Sequence, residues 1–88
     1  MIDKPTWTIE LIFTEDEDKT RADALLRAGA IELRGWGRAR RNPTDPDIPA
    51  VGEEVAAARA LHDLAQHLLE RAAQLIEEWE GRPVQLHH

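Results

Sequence analysis

The 88-residue chain contains no cysteine, no serine and no tyrosine, and its single phenylalanine is Phe13. Without cysteine there is no disulfide framework, no thiolate metal site and no cysteine nucleophile, and without serine the commonest hydroxyl nucleophile is missing as well. Apolar runs are short. None approaches the roughly 20 residues that cross a bilayer, and the opening "MIDKPTWTIE" has no apolar signal region. These absences predict a soluble, cytoplasmic protein with no membrane contact, no cofactor and no small-molecule substrate. Cations are in deficit too, with 11 Lys and Arg against 17 Asp and Glu and a formal net charge of −6. The far field of such a molecule repels polyanions.

What is present suits one small folded domain spanning residues 1–88. A composition of 42% hydrophobic and 32% charged residues is globular rather than disordered. A chain this short leaves about a third or more of its surface exposed after folding, so its core must be small.

From Thr6, side chains alternate, with Trp7, Ile9, Leu11 and Phe13 on one side and Thr8, Glu10 and Thr14 on the other. That period predicts a half-buried strand over about 6–14, followed by a solvated acidic turn at Glu15 to Asp18. A second strand over about 20–28 places Ala22, Ala24, Leu26 and Ala28 inward. After Gly29, a third strand over about 30–41 sends Ile31, Leu33, Gly35, Gly37 and Ala39 one way and Glu32, Arg34, Trp36, Arg38 and Arg40 the other. The glycines flanking Trp36 mark either a bulge, which would turn the indole inward, or a close backbone approach.

The segment 42–50 holds prolines and no periodicity, and is expected to be a loop. A helix follows over about 51–80, with an apolar stripe of Val51, Val55, Ala58, Leu61, Ala65, Leu68, Leu69, Ala72, Leu75, Ile76 and Trp79. Glu53 and Glu54 lie near its positive end, Gly81 and Pro83 stop it, and 81–88 is a tail. A helix of about 30 residues is about 45 Å long, against about 30 Å for a nine-residue strand, so it overhangs its sheet. Leu68, Leu69, Leu75, Ile76 and Trp79 fall towards the overhang, where an uncovered apolar patch marks an interface. They are the expected contacts of a homodimer. The fold class is α+β: a three-stranded antiparallel sheet followed by one long amphipathic helix.

The segments "WTIELIFTEDEDKTRADALLR", "GWGRARRNPTD" and "IPAVGEEVAAARALHDLAQHLL" resemble a family of small actinobacterial proteins of unknown function with a fold similar to a double-stranded-RNA-binding domain. The resemblance covers about residues 6–80 and implies a β-β-β-α fold, dimers, and a proposed similarity to ribosome hibernation factors, with no catalytic residues to carry over. The chain departs from RNA-binding domains of that fold in lacking their first helix. Its long helix also opens with "GEE", whose carboxylates repel phosphate where such a domain binds it.

The segment with most chemistry is "IELRGWGRARRN". Arg34, Arg38, Arg40 and Arg41 give residues 34–41 a charge of +4 in a chain of −6. With Trp36 they form a candidate surface for single-stranded RNA, arginines on phosphate and indole on a base. The alternatives are a subunit contact, or a solvated face on which Arg34 and Arg38 pair with Glu10, Asp23 or Glu32. His62 and His67 are five residues apart and diverge on a helix, so no metal site is expected there, while Asp63 and His67 have the spacing of a surface pair. Glu15 to Asp18 lacks the loop spacing of a calcium site, and the terminal His87 and His88 are set aside. With neither a nucleophile arrangement nor a general-base pair, the expectation is a non-enzymatic binding protein. RNA or the ribosome, in a stress or dormancy role, is the first candidate ligand, and a dimeric protein-interaction module with no nucleic-acid ligand is the alternative.

Overall fold

The computed structural model describes residues 5–81. Strands β1 (Thr8–Asp16), β2 (Lys19–Ala28) and β3 (Ile31–Arg40) form an antiparallel sheet in the order β1-β2-β3, and the helix α1 (Pro49–Glu80) follows. The strand alternation is as the side-chain pattern requires, but several boundaries move. Glu15 and Asp16 belong to β1, opposite Thr20 and Lys19, and only Glu17 and Asp18 make the turn. Glu17 takes the left-handed conformation (φ 54°), and Gly29 does the same (φ 65°) in the β2–β3 turn. Acidic residues are tolerated at the end of β1 because they are exposed there.

The helix starts at Pro49, earlier than its apolar pattern suggests, because proline suits the first turn, where its missing N–H costs nothing. Glu53 and Glu54 therefore fall beyond the first turn, which holds no acid. At the other end Gly81 (φ 72°) caps the helix, its N–H donating to the Glu77 carbonyl at 2.6 Å. Pro83, His87 and His88 lie outside the described residues. No described helix is long and apolar enough to cross a membrane.

The core is smaller and finer-grained than the apolar stripe implies. Its buried residues are Ala22, Ala24 and Leu26 of β2, Ala39 of β3, and Ala56, Ala60 and Leu64 of α1. The helix thus buries a line of two alanines and a leucine four apart, rotated away from the bulkier stripe, of which Ala58, Leu61, Leu75 and Trp79 stay exposed. The cause lies in β3. A Cβ on Gly35 would collide with the Leu64 backbone N and sit 2.7 Å from the Ala60 carbonyl oxygen, and one on Gly37 would meet the backbone of Ala60. The glycines form a floor on which helix backbone rests directly, so there is no bulge and the strand keeps its register.

The helix lies over β3 and β2. At roughly 10 Å across, one helix spans about two strands spaced about 4.8 Å apart. Consequently β1 is left bare: Ile9 and Phe13 face the helix side yet remain 46% and 37% exposed, and Leu11 is only half-buried.

Candidate functional site

The face of the sheet opposite the helix is covered by no other element among the described residues. The strand registers set it out in rows: Arg40 beside Lys19, Arg38 beside Arg21, Trp36 beside Asp23 and then Ile12, Arg34 beside Leu25 and then Glu10, and Glu32 beside Arg27. Trp36 is 47% exposed at the middle of this face. It points outward because Gly35 and Gly37 on either side are pressed against α1.

Charge is unevenly distributed over the face. At the end near the β2–β3 turn, Arg27 donates to Glu10 (2.8 Å) and lies 3.9 Å from Glu32, and Arg34 reaches Glu32 at 3.3 Å. These exposed pairs are worth little in stability, but they neutralise one another. At the opposite end Arg38 and Lys19 have no acidic partner among the described residues. Arg40 meets only Asp18, at 3.8 Å. Beside them Arg21 binds Asp23 at 3.0 Å and places its Cζ 4.6 Å from the centre of the Trp36 ring. A guanidinium is always protonated in proteins, so the group over the indole is a permanent cation, and its hydrogen bond to Asp23 raises its pKa further.

The structure therefore gathers Arg34, Trp36, Arg38 and Arg40 on one face and removes Arg41 from it. Arg41 lies beyond β3, where its N–H continues the ladder to the Asp18 carbonyl (2.8 Å). Its guanidinium folds into the loop, donating to the Asp45 carbonyl at 2.9 Å and lying 3.8 Å from Asp47. It lines a cleft of about 320 Å³ between that loop, the β1–β2 turn and the start of α1, where Glu15, Asp18 and Asp47 interleave with Lys19 and Arg59. Lys19 and Arg21, which complete the cationic corner, were not among the residues picked from sequence. Only the β2–β3 register reveals them, since they sit directly across from Arg40 and Arg38.

A second group of polar residues works on the edge of β3. The Trp36 N–H donates to Asp63 Oδ2 at 3.0 Å, Arg59 Nη1 donates to the Arg38 carbonyl at 2.8 Å, and His67 Nδ1 lies 2.6 Å from the Arg34 carbonyl. A carbonyl only accepts, so His67 carries its proton on Nδ1. Asp63 and His67 do face each other, Nε2 to Oδ1 at 3.6 Å, as their spacing predicts. Their larger task is to satisfy, with Arg59, the backbone of an edge strand. Residues 59, 63 and 67 recur every four positions, and this line beside a helix's buried face is the signal that could have revealed it. His62 is exposed and lies more than a third of a turn around the helix from His67. Among the described residues no group of three or more His, Cys, Asp or Glu is placed to hold a metal ion.

Of the expected dimer residues, Leu75 and Trp79 are exposed, Trp79 by 90%, while Leu68, Leu69 and Ile76 are half-buried and Leu68 packs against the core.

A model of the Rv2632c-like family matches residues 5–85. The uncharacterized protein MT1780 of Mycobacterium tuberculosis (strain CDC 1551 / Oshkosh) is 41% identical over 80 residues, covering 91% of this chain and 85% of that protein. The uncharacterized protein Rv2632c of Mycobacterium tuberculosis (strain ATCC 25618 / H37Rv) is 38% identical over 84 residues, covering 94% and 90%. A crystal structure of Rv2632c is similar with a TM-score of 0.82 at 35% identity, covering 94% of this chain and 98% of that one.

Proposed function

The chain belongs to the Rv2632c-like family, and on that premise we propose that it is a non-enzymatic, cytoplasmic binding protein that takes single-stranded RNA, free or within the ribosome, on its open sheet face. The observation that carries this is the exposed Trp36 beside the cationic corner of Lys19, Arg21, Arg38 and Arg40. A base stacks on the indole, and the unpartnered Arg38 and Lys19 take the flanking phosphates. The order of strands and helix is also that of the C-terminal part of a double-stranded-RNA-binding domain. The docking differs from such a domain, because here the second turn of the helix carries Glu53 and Glu54 while the cations sit on the sheet.

The working unit in this reading is a homodimer. A second reading, a dimeric protein-interaction module without nucleic acid, is favoured by the pairing of Arg27 and Arg34 with Glu10 and Glu32, which tunes the far end of the face for a protein surface.

Titration of a single-stranded RNA oligonucleotide at several salt concentrations separates the two. Arg38→Ala with Arg40→Ala should flatten the slope of log affinity against log salt by about 0.7 per lost phosphate contact. Trp36→Ala should leave the slope nearly unchanged and weaken binding by about 1–3 kcal/mol. Absence of binding by the wild-type protein at low salt, where the phosphate contribution is greatest, refutes the RNA reading and leaves the protein-interaction module.

A further inference from the structure

The two edges of the sheet are finished differently. Along β3 the outward backbone groups of residues 34, 36 and 38 receive His67, Asp63 and Arg59 from the helix. Alternation of the antiparallel ladder turns the N–H and C=O groups of Ile9, Leu11, Phe13 and Glu15 outward along β1. Arg59, Asp63 and His67, which finish the edge of β3, are committed there and do not serve them. The same strand is apolar on both faces, with Ile9 and Phe13 exposed on the helix side and Ile12 52% exposed on the other. Such an edge is a template for another strand.

The helix has a matching feature. Leu61, Ala65, Leu68, Ala72, Leu75 and Trp79 recur at alternating steps of four and three residues, and Leu61, Leu75 and Trp79 are exposed. At 3.6 residues per turn, this seam lies about a third to just over half a turn around the helix from Asp63, with the buried line of Ala60 and Leu64 between them. Asp63 reaches the edge of β3, so the seam overlooks the side of β1.

We propose that β1 pairs antiparallel, along its free edge, with β1 of a second copy of this chain, joining two three-stranded sheets into one and enclosing Ile9, Leu11 and Phe13 beneath the two helical seams. A second copy is the occupant that the charge pattern of the strand fits. A two-fold axis at Leu11 sets Glu10 opposite Ile12, Ile9 opposite Phe13 and Thr8 opposite Thr14. An axis at Ile12 sets Glu10 opposite Thr14 and Ile9 opposite Glu15. Neither opposes two carboxylates, whereas an axis at Glu10 or Phe13 brings Glu10 against itself or against Asp16. The central registers are therefore self-complementary. Sealing β3 with helix side chains leaves β1 as the edge open to pairing, and the joined outer faces present two copies of Trp36 on one surface. This rests on the homodimeric part of the proposed function and is independent of RNA.

The absence of cysteine makes a direct test possible. Facing Cα atoms in an antiparallel pair lie about 4.5–5.5 Å apart, within the range of about 4.4–6.8 Å that a disulfide spans. Single variants Leu11→Cys and Ile12→Cys are oxidised alongside Trp36→Cys and Leu75→Cys, with sedimentation of the wild-type chain in parallel. The expected result is a wild-type dimer, with an intermolecular disulfide at position 11 or 12 and none at 36. A dimer that cross-links at 75 and at neither strand position overturns β1 pairing while leaving a homodimer intact. A chain that stays monomeric at high concentration overturns both. As a second measurement, Phe13→Pro removes an outward N–H without touching the ladder to β2. It should yield a folded monomer by circular dichroism and sedimentation, and a folded dimer contradicts the proposal. Should this variant unfold, Ile9→Lys, which places a charge on the same edge, is read by the same criterion.

Discussion

Of the two edge strands, the one with the smaller side chains towards the helix is the better buried, and the one with the larger is the more exposed. On β3 the helix side beyond Ile31 and the half-buried Leu33 is Gly35, Gly37 and Ala39, all buried; on β1 it includes Ile9, Leu11 and Phe13, none of them fully buried. The contrast separates two sources of order that are often treated as one. Transfer of apolar area from water favours burying β1. Close approach of backbone to backbone, with many short dispersion contacts and no side chain to immobilise, is available only to β3. In a single copy of the chain the second decides where the helix sits, and the apolar area of β1 is left over.

The sharpest way to break this contrast is to give β3 a side chain. Gly37→Val should cost more than about 3 kcal/mol, because the new atoms meet helix backbone, which cannot rotate away as a side chain can. Since small domains have only about 5–15 kcal/mol in hand, chemical denaturation should show a large shift or loss of the transition. A milder intervention removes the edge contact alone. Asp63→Ala leaves the Trp36 N–H without its carboxylate and should cost about 1–2 kcal/mol, with Asp63→Asn recovering part of the loss as an alternative acceptor. On β1 the expected effect is smallest. Ile9→Ala, measured at concentrations low enough to keep the chain monomeric, should change stability by under about 1 kcal/mol, since nearly half of the side chain is already in water. A loss there equal to that from Asp63→Ala would erase the distinction between the two strands.

The same contrast explains what was legible in the sequence. Period-2 alternation depends only on backbone geometry, so the faces of all three strands, and the outward aim of Trp36, follow from it. The order of elements follows from the turns at Gly29 and the proline-bearing loop. The buried line of α1 does not follow. Hydrophobic periodicity weights Leu61, Leu75 and Trp79 above Ala56 and Ala60, yet the alanines are selected by glycines on another element well separated in sequence, a pairing no local pattern carries. For the same reason adjacency in sequence groups Arg41 with the other arginines, although the strand ends one residue earlier. Lys19 and Arg21 belong to a different strand, and become neighbours of Arg40 and Arg38 only through register. Likewise Asp63 and His67 are visible as a pair, but their hold on β3 requires knowing that β3 is an edge.

A core of alanines and leucines resting on glycines has a thermal consequence. Among the described residues the buried hydrophobic core is five alanines and two leucines, so unfolding a single copy hydrates little new hydrocarbon. Hydrocarbon hydration is what gives unfolding its positive heat capacity, typically about 12–15 cal/mol/K per residue. This chain should fall below that range. Its stability curve as a monomer should accordingly be broad and shallow, changing slowly with temperature on both sides of its maximum, while any assembly that covers β1 should steepen it.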